Sequence, residues 1–408
     1  MTLVRTHDRD VADVVVIGAG TVGGWASWFA RRNGAERVVV VERDLAGQGA
    51  SSRAAGIVRA QGGTPETVAL GRWSIGFYNR QQELLGTDSG FRELGYLLLA
   101  VTSKDEREGR ERVRMQRAAG LDARWLGVED AVELNPTLAP NGFRGASYVA
   151  TDGHIDPPRN VRAYSLAMQG EDVDLRERTS FTGLRCSGSR VVGVETSAGP
   201  IATERVILTG GPALRAVGKV AGASIPAGGA RHQVVVSEPH DAFGVERLPM
   251  VFDVGAGLYW RLEEGGLLWG MSNPDEAPGR ARTIDWPYLR KMQRRLKRFV
   301  PMTADLGIRK VWAATIDYTP DHLPILGPLI TREGERVDGT VVASAAGHGM
   351  MWGPAAAKVA ADLSVNGRTD VVDVSGFGLD RFDEDGRSPS YDPIALPFPI
   401  DLSDDADD

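Results

Sequence analysis

The chain has 408 residues and a formal net charge of −7, with 54 Asp and Glu against 47 Lys and Arg. That balance argues against nucleic acid or an anionic membrane as partner, and the single cysteine excludes an intrachain disulfide framework and fits a reducing compartment. The length suffices for two domains with substantial cores; no stretch reads as a signal peptide or reaches transmembrane length, which predicts a cytoplasmic protein.

Val14-Val-Val-Ile17 is a short unbroken apolar run, the pattern of a buried parallel strand. Gly18, Gly20 and Gly23 follow as G-x-G-x-x-G at the turn into a helix that runs through Trp25 to Asn33, with Gly34 as its C-cap. The first glycine permits the tight turn, the second lets backbone N–H groups approach a pyrophosphate, and the third lets helix and sheet lie close. A second apolar run, Val38–Val41, ends in Glu42, where a carboxylate can take the hydroxyls of an adenosine ribose. Strand, turn, helix, strand and acid in this order predict a dinucleotide site. The loop Gly47-Gln-Gly-Ala-Ser-Ser-Arg-Ala-Ala-Gly56 and then Ile57-Val58-Arg59 are small and polar enough to wrap a cofactor with backbone amides.

Leu70–Leu85 is expected to be an amphipathic helix, Gly95–Val101 a strand and Lys104–Ala119 a charged, solvated helix. The turn cluster Asp152-Gly-His-Ile-Asp156-Pro-Pro158 leads into a helix over Asn160–Met168. Val173–Leu175, Phe181–Cys186, Arg190–Thr196 and Ile201–Ala202 read as short strands, and the apolar run Val206–Leu208 ends in Gly210 and Gly211. From Ala230 to Trp312 the character changes: Arg231–Ser237, Met250–Val254, Leu258–Leu262 and Leu267–Met271 predict a mainly antiparallel sheet. Trp286–Val300 is a strongly basic helix, read as a solvated face. Thr319-Pro-Asp-His322, a strand at Val341–Ala343 and Gly347-His-Gly349 precede a helix opened by Pro354 and running to about Leu363. Residues 383–408 are acidic and expected to be poorly ordered.

These pieces in this order resemble the D-amino-acid oxidase superfamily of flavoproteins, and within it the sarcosine oxidase and dimethylglycine dehydrogenase group. The likeness rests on Gly18–Gly23 with Glu42, Gly56–Arg59, Asp152–Pro157, Val206–Gly211, Gly257–Arg261 with Gly266–Met271, Thr319–Asp321 and Gly347–Gly349. It implies an α/β (α+β) fold: a Rossmann-like FAD-binding domain of discontinuous segments (1–90, 145–228 and 318–382) and a mainly antiparallel substrate-binding sheet domain (91–144 and 229–317) covering the flavin. The cofactor contacts it implies are Gly18, Gly20, Thr21, Val22 and Gly23; Glu42 and Arg43; Ser51, Ser52, Arg53, Ala55, Gly56 and Ile57; Gly210 and Gly211; and Gly347, His348, Gly349 and Met350. Gly347–Pro354 leads straight into a helix, so its N–H groups and positive dipole end can face the negative charge of a reduced flavin.

The implied chemistry is hydride abstraction from a carbon bearing an amine, giving an imine that hydrolyses. Catalytic candidates are Arg59, Trp260, His348 and Met351, with Tyr259 or Trp260 walling the cavity. Arg59 stands where monomeric sarcosine oxidases hold a substrate carboxylate, while the partner lysine position carries Met351; Arg261 is a second cation within reach. Leu268 or Trp269 stands where those oxidases keep an oxygen-activating lysine, which predicts slow use of oxygen and another electron acceptor. Ala314 and Arg53 replace the cysteine and histidine that tether flavin in some relatives, which predicts non-covalent FAD. Oxidation of a 2-hydroxy acid, or an FAD-carrying subunit active only with a partner, are the alternatives. His232 and His322 read as structural, and six histidines with one cysteine and no paired spacing argue against a metal site.

Overall fold

The computed structural model describes residues 10–277, 279 and 283–394. Two sheets organise them. The nine-stranded sheet has its parallel core in the order 336–344, 206–208, 14–17, 38–41 and 174–176, with the hairpin Phe181–Ser187 and Arg190–Thr196 on one side. All four residues of Val14–Ile17 and of Val38–Val41 are buried, as continuous apolar runs in a two-sided parallel sheet must be.

Helices Thr21–Arg32 and Gly353–Asn366 lie side by side over one face, together with Pro157–Gly170. Trp25 fills the centre of this layer, edge-on to Phe77 at 4.9 Å, with its indole N–H donating to Asn160 at 3.1 Å. The helix expected at Leu70–Leu85 starts earlier, at Pro65, because Thr64 and Thr67 form a reciprocal cap ahead of the apolar face.

The eight-stranded second sheet runs in the order 308–318, 228–237, 266–272, 258–263, 250–253, 96–100, 145–149 and 124–126, antiparallel except where Met250–Asp253 meets Tyr96–Ala100. Gly145–Val149, assigned from sequence to the nucleotide unit, pairs here with Tyr96–Ala100, so the second domain extends through that strand. One face of the sheet carries Leu97, Val251, Trp260 and Trp269 and is covered by the apolar side of the basic helix Trp286–Phe299, through Leu289, Met292 and Leu296. The helix turns its remaining arginines and lysines outward, and Arg295 reaches back to the buried Asp253 at 2.6 Å. Strand alternation sends Tyr96, Phe252, Tyr259, Leu268 and Val234 to the other face, toward the nucleotide domain.

The C-terminal expectation needs correction. Within residues 383–394, Asp392 and Ile394 are buried, and Arg381 just before them forms a buried ion pair with Asp321 at 2.7 Å. The rest of the predicted tail, 395–408, lies outside the described residues. Among the described residues no helix is long and apolar enough to cross a membrane.

Candidate active site

A cavity of about 1100 Å³ runs between the two sheets. Its nucleotide end is built by Gly18, Gly20, Thr21, Val22, Gly23, Glu42 and Arg43. Glu42 is fixed there by two backbone donors, Ala19 N at 2.8 Å and Asp44 N at 2.9 Å, which leave its carboxylate at the cavity edge. Helix Thr21–Arg32 has no side-chain cap at Gly20; Ser51 instead accepts the Thr21 amide at 2.9 Å and closes the loop over the turn. Arg53, Ala55, Gly56 and Ile57 continue the wall, with Gly210 and Gly211 opposite. Ser52 differs from expectation: it does not line the cavity, and its amide donates to the Gly47 carbonyl at 3.1 Å, which shapes the loop.

The far end meets the late glycine turn. Gly347, His348, Gly349, Met350 and Met351 all line the cavity. Met351 and Trp352 donate their amides back to the His348 carbonyl, whereas the Gly349 and Met350 amides have no partner among the described residues. Helix Gly353–Asn366 again has no cap from its own N-cap residue; Ser74 Oγ accepts the Ala355 amide at 3.3 Å instead. Burial, reinforced by the Arg59 charge, pushes the His348 pKa down to about 3. A neutral ring, with Nδ1 2.9 Å from the Ala346 carbonyl, makes His348 a wall and a turn-former rather than a cation.

Arg59 lies in the same cavity, 5% exposed. Its Nη1 donates to the Gln61 carbonyl, and among the described residues no carboxylate lies within 4.0 Å of its guanidinium. The loop that carries it is anchored by Asp152, which accepts the Ala60 amide at 2.7 Å and Gln61 Nε2 at 3.0 Å. Burial pushes the Asp152 pKa up to about 7, and those two donors together with Arg59 oppose the rise. Arg261 is not a second anion partner. It pairs with Glu263 at 2.5 Å and donates to the Ala55 carbonyl at 3.0 Å, so it ties the cofactor loop to the second sheet.

Trp260 requires a further correction: it packs against Phe299 on the helix-covered face, and its neighbour Tyr259 is the residue that lines the cavity. Gly270, opposite Tyr259 across the ladder, leaves space for the phenol. The Tyr259 hydroxyl reaches His232 Nε2 at 2.6 Å, His232 Nδ1 meets Ser272 Oγ at 2.7 Å, and Ser272 Oγ meets the Tyr318 hydroxyl at 3.2 Å. All four line the cavity, as does His322. Burial lowers the His232 pKa to about 4. Reading His232 and His322 as merely structural overlooked this wall; the available signal was that His232 shares its strand face with Val234 and Val236, the face shared by Tyr259.

A phosphate-binding turn, a ribose-binding acid and a second glycine turn with free amides on one long cavity define a dinucleotide-dependent redox protein with room for a tricyclic ring and a substrate. Residues 13–363 match the family described as FAD dependent oxidoreductase (DAO), and the chain belongs to that family. It is 27% identical over 396 residues to the 4-methylaminobutanoate oxidase (formaldehyde-forming) of Paenarthrobacter nicotinovorans, covering 95% of this chain and 47% of that one. With the glycine oxidase of Geobacillus kaustophilus it shares 27% over 388 residues, 92% of this chain and 98% of the other. It therefore spans about half the length of the first relative and nearly all of the second. Among solved structures, the L-proline dehydrogenase from P. horikoshii superposes with a TM-score of 0.84 at 25% identity, covering 91% of this chain and 98% of that one.

FAD is the cofactor of this family, and the residues fit it: Glu42 suits the ribose, the Gly18–Gly23 turn the pyrophosphate, and the unpartnered Gly349 and Met350 amides an electron-rich ring edge. Arg53 and the Ala314 methyl line the cavity at the two tethering positions, and neither is a nucleophile toward flavin. Denaturation in trichloroacetic acid is therefore expected to release all the yellow colour to the supernatant; colour retained in the pellet would show a covalent link.

Proposed function

We propose that the protein oxidises a secondary or tertiary N-methyl amine or amino acid bearing one carboxylate, giving an imine that water then hydrolyses. The observation that carries this reading is the buried Arg59 guanidinium, unpaired with any described carboxylate and opening on the cavity opposite Tyr259 and His232. A buried cation with Asp152 and Asp392 near it but no carboxylate in direct contact leaves its donors available to an anionic ligand, and the planar fork of arginine suits a carboxylate. Bound FAD supplies the hydride acceptor.

The protein orients and desolvates the amine. Arg59 holds the acid end, the apolar pair Met350 and Met351 replaces a second cation, and the Tyr259 hydroxyl, oriented by His232, offers a hydrogen bond to the nitrogen. Because burial keeps His232 neutral down to about pH 4, this pair sets no positive charge against an approaching amine at neutral pH. The names of the relatives, a methylaminobutanoate oxidase and a glycine oxidase, support amine over alcohol chemistry.

Leu268 stands on the cavity face of its strand and Trp269 on the other, and among the described lining residues there is no lysine. This supports an electron acceptor other than oxygen, since no ammonium stabilises superoxide-like charge there. The exposed, unpaired Cys186 supports a reducing compartment.

Anaerobic titration tests the reading. N-methyl amino acids are expected to bleach the bound flavin, and 2-hydroxy acids of the same carbon skeleton to leave it oxidised. Bleaching by the hydroxy acids alone would replace amine oxidation with alcohol oxidation. A flavin that every amine leaves oxidised until a second chain is added would assign the activity to a complex.

A further inference from the structure

The last described residues fold back onto the site. The Asp392 amide donates to the Asp321 carbonyl at 2.9 Å, which fastens the segment to the turn after Tyr318. Asp392 Oδ1 accepts the Ile394 amide at 3.0 Å, a local turn that directs the chain inward. A side chain on Gly63 would run into the Asp392 carboxylate and the Pro393 ring, so the loop after Arg59 leaves a seat for these residues. Ile394, 2% exposed, packs with Tyr96, Leu98 and Met250 and lines the cavity. Tyr391 stands edge-on to His322, another lining residue, at 5.7 Å. Burial raises the Asp392 pKa, opposed by the charges of Arg59 and Arg112, so the segment also contributes to the field around Arg59.

We propose that Asp392–Ile394 forms the end wall of the substrate chamber and sets the length of the molecule that fits against Arg59. The wall is apolar where it meets the cavity, at Ile394, and polar only behind, where Asp392 holds the segment in its seat. Through Ile394 it therefore touches the carbon skeleton of a ligand whose acid end Arg59 holds, while Asp392 acts on Arg59 only from behind the wall. The inference deepens the amine-oxidation reading and rests on Arg59 as the carboxylate partner.

The test uses the full FAD-bound chain with Ile394→Ala, which enlarges the chamber, and Ile394→Phe, which shortens it. Straight-chain monocarboxylates from acetate to hexanoate are titrated and read by the difference spectrum of the flavin. For Ile394→Ala the preference for hexanoate over propionate is expected to rise about tenfold, because two further methylenes become buried. For Ile394→Phe it is expected to fall, with acetate affinity unchanged in both. An unchanged length preference in both variants overturns the proposal. If no monocarboxylate perturbs the flavin of any form, the Arg59 reading fails, and acrylamide quenching of flavin fluorescence decides the wall alone. Stronger quenching in Ile394→Ala than in the parent chain then supports it, and equal quenching overturns it.

Discussion

Replacing Arg59 by methionine is expected to weaken a monocarboxylate ligand, and to raise KM for an acidic amine, by about 10- to 150-fold while FAD stays bound. Hydrogen bonds to a charged group contribute about 1.5–3 kcal/mol net, which corresponds to that range. The effect should be at the upper end, because Arg59 is 5% exposed and solvent cannot substitute for the lost donors. Methionine fills a similar volume and breaks no close ion pair; what goes is the Gln61 carbonyl contact and the more distant support of buried Asp152 and Asp392, so the melting temperature should fall only slightly. That separation identifies the role: a structural arginine would lose stability with its charge, whereas a substrate-binding one loses affinity. Lysine should restore little, since its point charge lacks the bidentate fork. Steady-state kinetics with an acidic amine, beside carboxylate titrations of the oxidised flavin, reads both quantities. An unchanged KM would remove the carboxylate-binding role.

The second large effect is expected at the first turn. A Cβ on Gly23 would be driven into the Gly18 carbonyl oxygen, so Gly23→Ala cannot be accepted without opening the turn. Overpacking of this kind costs about 1–3 kcal/mol and more where backbone must move. The displaced groups are the amides that face the pyrophosphate, so FAD affinity should fall by at least about tenfold and the protein should purify pale or colourless. Gly76→Ala is the matched control: an added Cβ there meets nothing within 4 Å, the residue is helical, and stability should rise by about 0.5–1 kcal/mol. The flavin-to-protein absorbance ratio of the two purified variants checks the pair. A fully yellow Gly23→Ala protein would contradict the assignment of this turn to the cofactor.

The nucleotide unit was legible in the sequence because each of its parts is a local signature. Glycine spacing, two apolar runs and Glu42 identify themselves without knowledge of what packs on them, and all meet on one cavity. The second domain was legible as a sheet but not as a surface. Strand alternation shows that Tyr259 and Trp260 face opposite ways; which of them meets the cavity is decided by helix Trp286–Phe299, distant in sequence, covering Trp260. The long edge strand Ile308–Tyr318 was missed because Arg309 and Lys310 near its start break the apolar pattern and pair with Glu264 across the surface.

The C-terminal segment was misread for a different reason. Its composition is that of a solvated tail, but Asp392 is spent on a local turn that buries Ile394, and composition does not reveal such a use. His232 was undervalued because its partners, Tyr259 and Ser272, come from two neighbouring strands and adjoin it only in the folded sheet.

The central claim is that FAD lies outstretched from the Gly18 turn to the Gly347–Gly349 turn, with its ring between Met350 and the Tyr259 face of the second sheet and a substrate carboxylate on Arg59. A crystal structure of the yellow protein soaked with a short monocarboxylate tests it most directly. Ring density against the Gly349 and Met350 amides, with the acid on the Arg59 guanidinium, is the expected result. A ring placed elsewhere, or an acid bound away from Arg59, would contradict the account.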